Sequence, residues 1–565
     1  MMNSITLTRR EMLQCSVAAA LTLPASGAGA GQSSPVTATG VVRADGAGLG
    51  GVLVTNGRDI VSTDEDGRYA ISCNGDAIIS VIKPTGYAVP LDPETNLARF
   101  YRIHQPLGTP PELDLSGPGI APTGPLPESL DFHLTRADEP TRFDAILLAD
   151  PQPETHAEVN FIRDGLLPAI GATKAAFGIT LGDITGDNHA LYPRINALIG
   201  QIGAPWYSAI GNHDLNYEAP DDRYARETFK RTFGPTHYAF EYGGALFIVL
   251  DNIVYHGADP AQPEQMGDYH DALDSIQLQF VANVLKHTPA DQLVVLSMHI
   301  PLKSRRDSSG RHIAIADTAE LLRIIGDRRC VSYSGHTHMS ETRYILPDAD
   351  APERSAHRHQ VLATVCGSWW SGPFDERGVA LADCCDGSPA GYYILSVDGA
   401  RCATQFRPTH GARGRGLRIV LSERANEVGE ARRLLGPALT REQIPHADII
   451  VNIFEGGPRT SVSCSISNRP PFAMRQKSQP DPFVAAEYRR NGDVIKPWVK
   501  AVNTGHLWVA PMPTDLADGV HRIDVASVSD SGATHHASVI VEIVAERSAF
   551  ALSSAVGLSP AVVSH

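Results

Sequence analysis

Between Phe143 and Pro408 the chain alternates short apolar runs with amphipathic stretches. The runs DAILLA, FGITLG, PWYSAIG, ALFIVLD, LVVLSM and CVSYSG are brief, bounded by glycine or polar residues, and predict strands. HAEVNFIRDGLLPAIGA, LYPRINALIGQIG, DSIQLQFVANVLKH and ADTAELLRIIG instead repeat apolar positions at helical spacing. Strand runs without a polar face predict an α/β domain whose strands are covered on both sides. In such a domain, functional groups collect at the carboxyl ends of the strands.

On either side of this region the pattern becomes β only. From Val36 to His133, TATGVVRADGAGLGGVLVTNG, IVSTDEDGRYAIS and AIISVIKP alternate between glycine-rich turns, as in a small β-sandwich. Within it, TDEDGRY places Asp64 and Asp66 in a loop that lacks the further acidic ligands of a calcium site, so a tight turn is expected. SGPGIAPTGPLPESL, Ser116 to Leu130, is an irregular connection. After Thr409, ADIIVNIFEGG, RTSVSCSIS, GHLWVAPMP, GVHRIDVASVSDSG and HHASVIVEIV predict a second sandwich. The expected division is a leader over 1–33, an N-terminal β-sandwich module over 34–136, the α/β domain over 137–408, a C-terminal β-sandwich domain over 409–548, and a tail over 549–565.

A length of 565 residues with 42% apolar and 7% aromatic residues suits about three globular domains. The net charge of −15 argues against a nucleic-acid duplex or an anionic membrane as partner, and leaves an anionic substrate in need of a local positive field. TRREML, with Arg9 and Arg10, followed by the short run SVAAALTLP and the small-residue site Ala28 to Ala30, resembles a twin-arginine export signal. That implies a bacterial periplasmic or secreted protein. Cys15 precedes the apolar run, which speaks against a lipoprotein anchor, and no later stretch has the length of a membrane span. The other cysteines, Cys73, Cys330, Cys366, Cys384, Cys385, Cys402 and Cys464, are odd in number and too few for a disulfide scaffold.

Candidate chemistry appears where the runs end. ILLAD ends in Asp150, with Gln152 two residues on; ITLGD ends in Asp183; YSAIG leads into Asn212, His213 and Asp214; VVLSM leads into His299; VSYSG leads into His336 and His338. Residues two apart on extended backbone share a face, so His336 and His338 can converge on one object. Gly335 permits the tight turn before them. Oxygen and nitrogen donors at five strand ends point to a metal centre.

The ordered set ADPQ, GDITGD, GNHD, MH and GHTH resembles that of the calcineurin-like metallophosphoesterases. CGSWWSG from Cys366, DGSPAGYYIL from Asp386 and the flanking β modules resemble the bacterial exported subgroup with N-terminal and C-terminal sandwich modules. The resemblance implies a β-sandwich core flanked by helices, two divalent metal ions, and hydrolysis of phosphomonoesters or phosphodiesters by attack of a metal-bridging hydroxide. It also implies that Asp183 bridges the ions, that Asp150, Gln152 and His338 hold one, and that Asn212, His299 and His336 hold the other. His213 is implied as a non-ligating catalytic group that protonates the leaving oxygen or stabilises phosphoryl charge, with Asp214 orienting and charging its imidazole. Gln152 stands where many relatives have histidine, an oxygen donor that favours Mn²⁺ or Fe²⁺ over Zn²⁺. GDITGD lacks the tyrosine of purple acid phosphatases, so no tyrosinate-ligated ferric centre is expected.

Weaker candidates lie around these motifs. Asp187 and Asn188 are expected to steady the GDITGD loop. Trp369 and Trp370 either wall a substrate cleft or pack against a neighbouring domain. Lys303, Arg305 and Arg306 either contact a second charged group of the substrate or form a solvated basic loop. His357 and His359 are expected at the surface. The substrate is expected to be a small-molecule or cell-envelope phosphate ester; an exported nucleotidase or cyclic-nucleotide phosphodiesterase, or an inactive surface-binding protein, are the alternatives.

Overall fold

The computed structural model describes residues 36–545 except 74, 260, 262–264, 306–311, 349, 411–415 and 425–431, so the leader-like segment and the tail lie outside the described residues. Two mixed sheets form the centre. One has the strand order Trp206–Ala209, Gly178–Leu181, Arg142–Leu148, Gly391–Asp398, Arg401–Pro408. The other runs Tyr238–Tyr242, Ala245–Val249, Val294–Ser297, Cys330–Ser334, His357–Val361, Glu341–Ile345. The strands that precede the candidate ligands pair in parallel within each sheet, so their carboxyl ends emerge on the same side.

Period-two geometry explains the unbroken apolar runs. Ala145, Leu147, Ile179 and Leu181 of the first sheet share one core with Phe247, Val249, Val295 and Tyr333 of the second. Their sequence neighbours Ile146, Leu148, Ile248 and Leu296 point the other way, into a core with Val159, Ile195, Phe280 and Leu321 of the helices. The sheets therefore face each other and helices cover their outer sides. All four expected helices form, as His156–Phe161 with its π-helical continuation Ile162–Leu166, Tyr192–Gly200, Ser275–Lys286 and Thr318–Ile325. The first begins with a capping box, Thr155 with Glu158.

The flanking regions are sheet-rich, as expected. In the N-terminal region a five-stranded sheet containing Val36–Ala44 and Arg68–Cys73 accompanies a four-stranded sheet containing Leu53–Thr55 and Ala77–Ile82. The TDEDGRY loop is a turn in which the Asp64 side chain accepts from the amides of Asp66 and Arg68. Buried Lys83 reaches from this region to Glu139 at 2.5 Å and to the Glu241 carbonyl at 2.7 Å. The C-terminal region has two five-stranded sheets around Ile449, Val451, Cys464, Trp508 and Ile523. It also carries a helix the pattern did not predict, Pro482–Arg490, capped by Asp481. Among the described residues no helix is long and apolar enough to cross a membrane.

The structure corrects one expectation here. His357 and His359 are not at the surface; they are buried between neighbouring strands, where both rings face the Ser332 hydroxyl at 2.7 Å and His359 also faces Ser334 at 3.1 Å. Burial holds His357 down to about 4 and His359 down to about 3. An unfolded histidine titrates near 6.5, so the unfolded chain takes up protons that the folded one refuses as pH falls below that value. Stability contributed by these rings is present above pH about 6.5 and lost progressively toward about 4 and below, by up to about 1.4 kcal/mol per pH unit per ring. Melting temperature followed from pH 7 to 4 should fall less steeply in a His357→Gln, His359→Gln variant; identical slopes would show that the rings do not titrate this way.

Candidate metal centre

The five strand ends bring their donors to one place. Asp183, His299 and His336 offer ligand atoms that all lie within 4.8 Å of one another. His299 Nε2 is 3.2 Å from Asp183 Oδ1 and 3.0 Å from Asn212 Oδ1. His336 Nδ1 is 3.0 Å from Asn212 Oδ1 and 3.2 Å from His299 Nε2. On the other side of Asp183, Gln152 Nε2 meets its Oδ2 at 3.2 Å, and His338 Nε2 lies 3.8 Å from Asp150 Oδ1. Asp150, Gln152, Asp183, Asn212, His299 and His338 are all buried.

The backbone is strained where these side chains converge. Asp150, Gln152, Asp183, His336 and His338 all have positive φ, between 42° and 73°. Such conformations cost L-residues on the order of 1 kcal/mol or more each, and persist where surrounding structure imposes them. Long-range bonds do so here. The Gln152 amide donates to the Asp183 carbonyl, the Gly335 amide to the His299 carbonyl, and the His336 amide to the Asp150 carboxylate at 3.0 Å. Gly211 and Gly335 are required by close approach, since a Cβ at either would overlap the carboxylate of Asp183 or Asp150.

The outer nitrogens of two histidines are committed. His299 Nδ1 lies 2.9 Å from the Leu181 carbonyl and His338 Nδ1 2.7 Å from the Gly367 carbonyl, which leaves Nε2 of each facing inward as a lone-pair donor. Burial and the neighbouring Asp183 push Asp150 up, against the pull of His299. Burial would also raise Asp183, yet the charges of His299, His213 and His336 hold it well below the ordinary carboxylate range. Buried oxygen and nitrogen donors that crowd lone pairs together are what a divalent cation satisfies, so the residues present fit the metals that the motifs imply. Gln152 presents its amide nitrogen inward, and half a turn of the planar amide exchanges this for its oxygen.

His213 sits beside these groups with its backbone amide on Asp183 Oδ1 at 2.9 Å. Its Nδ1 pairs with Asp187 Oδ1 at 2.9 Å, so the carboxylate expected of Asp214 is supplied by Asp187. Asp214 is fully buried and accepts from the Gly211 amide at 2.8 Å, the Ile184 amide at 3.1 Å and the Tyr192 hydroxyl at 2.8 Å. It binds the GNHD turn to the GDITGD loop, and burial together with Asp183 pushes its carboxyl up to about 7. The Asp187 signal is present in the sequence as an aspartate four residues after Asp183. Which of two nearby carboxylates faces the ring depends on how the loops dock.

The structure also places the weaker candidates. Trp369 and Trp370 are buried, at 3% and 6% exposure, and Trp369 packs against Val499 of the C-terminal region, the second of the two arrangements expected. Trp369 stacks on the His338 ring with centroids 3.8 Å apart, and Trp370 donates to the Pro151 carbonyl at 2.8 Å. Both therefore support ligand-bearing loops, and the aromatic platform they offered for a nucleobase falls away. Arg305 pairs with Glu341 at 3.3 Å. Arg306 lies outside the described residues. Cys366, which the strand-end pattern does not connect to the centre, has its sulfur 3.6 Å from His338 Nδ1 and 3.8 Å from Gln152 Oε1.

Comparison with known proteins accords with this geometry. The family model described as calcineurin-like phosphoesterase matches residues 146–340. Those for the N terminal and the C terminal of calcineurin-like phosphoesterase match residues 36–115 and 359–535. No curated protein matches. Among solved structures, the chain is similar to a dimetal phosphatase from Danio rerio (13% identity, TM-score 0.33, covering 48% of this chain and 98% of that one). It is similar also to the purple acid phosphatase PPD1 from yellow lupin, Lupinus luteus, seeds (12%, 0.32, 64% and 67%) and to PhoD (11%, 0.33, 74% and 84%). With the motif set in order, its side chains converged and all three family models matched in sequence along the chain, the chain belongs to the calcineurin-like phosphoesterases and is a metal-dependent phosphoric ester hydrolase.

Proposed function

We propose that this protein is an exported phosphohydrolase for small-molecule or cell-envelope phosphate esters, with a dinuclear centre in which Asp183 is shared. Asp150, Gln152 and His338 would hold one ion; Asn212, His299 and His336 the other. The oxygen-rich set favours Mn²⁺ or Fe²⁺. The observation that carries the reading is the convergence of these side chains from five strand ends, five of the residues on left-handed backbone. When bound, the ions supply positive charge to the phosphoryl oxygens and make water a stronger acid.

The protein's own groups do the rest. Buried walls around Asp150, Asp183 and His299 exclude bulk water, so charge interactions there are little screened. His213 holds a proton at Nε2 for the leaving oxygen while Asp187 keeps Nδ1 engaged. Export rests on the residues around Arg9, Arg10 and Ala28 to Ala30.

The test is an assay of the purified chain loaded with Mn²⁺ against bis(p-nitrophenyl) phosphate and p-nitrophenyl phosphate. Both substrates should be turned over by the parent, and His213→Ala should reduce the rate on the order of 10² to 10⁴-fold. Equal rates in the two proteins would end the case for catalysis at this site.

A further inference from the structure

Asp150, Gln152 and His338 stand on one side of Asp183, and side chains of the C-terminal region brace their loops. The His338 ring lies on Trp369, and Trp369 belongs to an apolar cluster with Met339, Cys385 and Val499, against which Tyr488, Ile495 and Trp498 pack. Two residues beyond His338, the Ser340 amide donates to Asp386 Oδ2 at 2.5 Å. The same oxygen lies 2.8 Å from His506 Nε2, and His506 Nδ1 lies 2.7 Å from Asn452 Oδ1. Asn452 Nδ2 in turn donates to Asp481 at 2.7 Å and to the Asp386 carbonyl at 3.1 Å. Asp386, Asn452, Asp481 and His506 are all at most 2% exposed. Finally, Lys496 Nζ lies 3.3 Å from both Glu154, two residues beyond Gln152, and Glu158 in the helix that follows.

The other half of the centre is held differently. His299 is fixed by the Leu181 carbonyl, Asp183 and Asn212, all contributed by the catalytic sheets and the loops at their strand ends.

We propose that the C-terminal stretch from Asp481 to His506 is a positioning element for one half of the centre, setting how tightly a divalent cation is held by Asp150, Gln152 and His338. This rests on the ligand assignment proposed above. Asp386 Oδ2 takes both the Ser340 amide and His506 Nε2, so loss of His506 leaves a buried carboxylate short of one partner, and the strained loop carrying His338, at φ 54°, is the part able to relax. The C-terminal region thereby becomes a working part of the hydrolytic site.

The experiment counts and titrates Mn²⁺ on the full chain by elemental analysis and calorimetry, in the parent and in His506→Ala, His506→Gln, Lys496→Met and Asp150→Asn. Lys496 is half-buried at the edge of the contact, so its variant keeps the fold even if His506→Ala does not. We expect two ions on the parent. His506→Ala and Lys496→Met should weaken one of them by about 10-fold to 100-fold and leave the other unchanged, as loss of a partner behind a ligand does. His506→Gln, which restores a donor toward Asp386, should recover most of that affinity. Both ions weakened alike, or neither weakened, overturns the proposal. Asp150→Asn separates the two levels: if it loses one ion while the C-terminal variants lose none, positioning alone fails; if it keeps both, the ligand assignment fails and takes positioning with it.

Discussion

An Asp183→Asn protein is expected to lose phosphoric ester hydrolysis by at least about 10³-fold and to retain less than one Mn²⁺ per chain, with little change in shape. The amide is isosteric but neutral. In the structure Asp183 Oδ1 takes the His213 amide and faces His299 Nε2, while Oδ2 faces Gln152. It is the one carboxylate at the junction of both proposed ligand sets, and the imidazoles around it keep it ionised well below the ordinary range. Elemental analysis and the bis(p-nitrophenyl) phosphate assay read both effects together. Two retained ions, with more than a tenth of the parent rate, would show that Asp183 is not shared.

The second large effect separates two neighbouring aspartates. Asp187→Asn should lower kcat/KM by about 10-fold to 100-fold and move the alkaline limb of its pH profile to lower pH, because a carboxylate 2.9 Å from His213 Nδ1 favours the protonated ring. Asp214→Ala should act on stability instead. It strips the acceptor from the Gly211 and Ile184 amides and the Tyr192 hydroxyl, and an unsatisfied buried donor costs about 1–3 kcal/mol. Its melting temperature should drop while the pH limb stays in place. A moved limb in Asp214→Ala with none in Asp187→Asn would reverse the assignment made from the structure.

Much of the centre is legible in the order of residues along the chain. Each donor follows an apolar run, and an apolar run bounded by glycine has few alternatives to a buried strand, so spacing alone places Asp150, Asp183, Asn212, His299 and His336 at strand ends. The four helices are legible for the same reason: a face repeating every three to four residues must be covered by something. Burial is harder to read. His357 and His359 repeat the polar spacing of the GHTH motif, yet their strand lies between two others, and nothing local distinguishes an inner strand carrying histidines from an exposed one. Trp369 and Trp370 suit equally a cleft wall or a packed interior, and only docking of the C-terminal region closes over the first of them.

By itself, then, the sequence determined the residue types of the centre, their order, the strands that carry them and the family to which they belong. Those follow from periodicity and chemical identity, which are properties of short stretches. Tertiary structure decided that Asp187 and not Asp214 faces His213, that Trp369 stacks on the ring of the candidate ligand His338, and that His506 and Lys496 reach loops more than a hundred residues away in the chain. Such contacts depend on how whole sheets dock against one another. That docking is set by the summed burial of many side chains, so no single motif carries it.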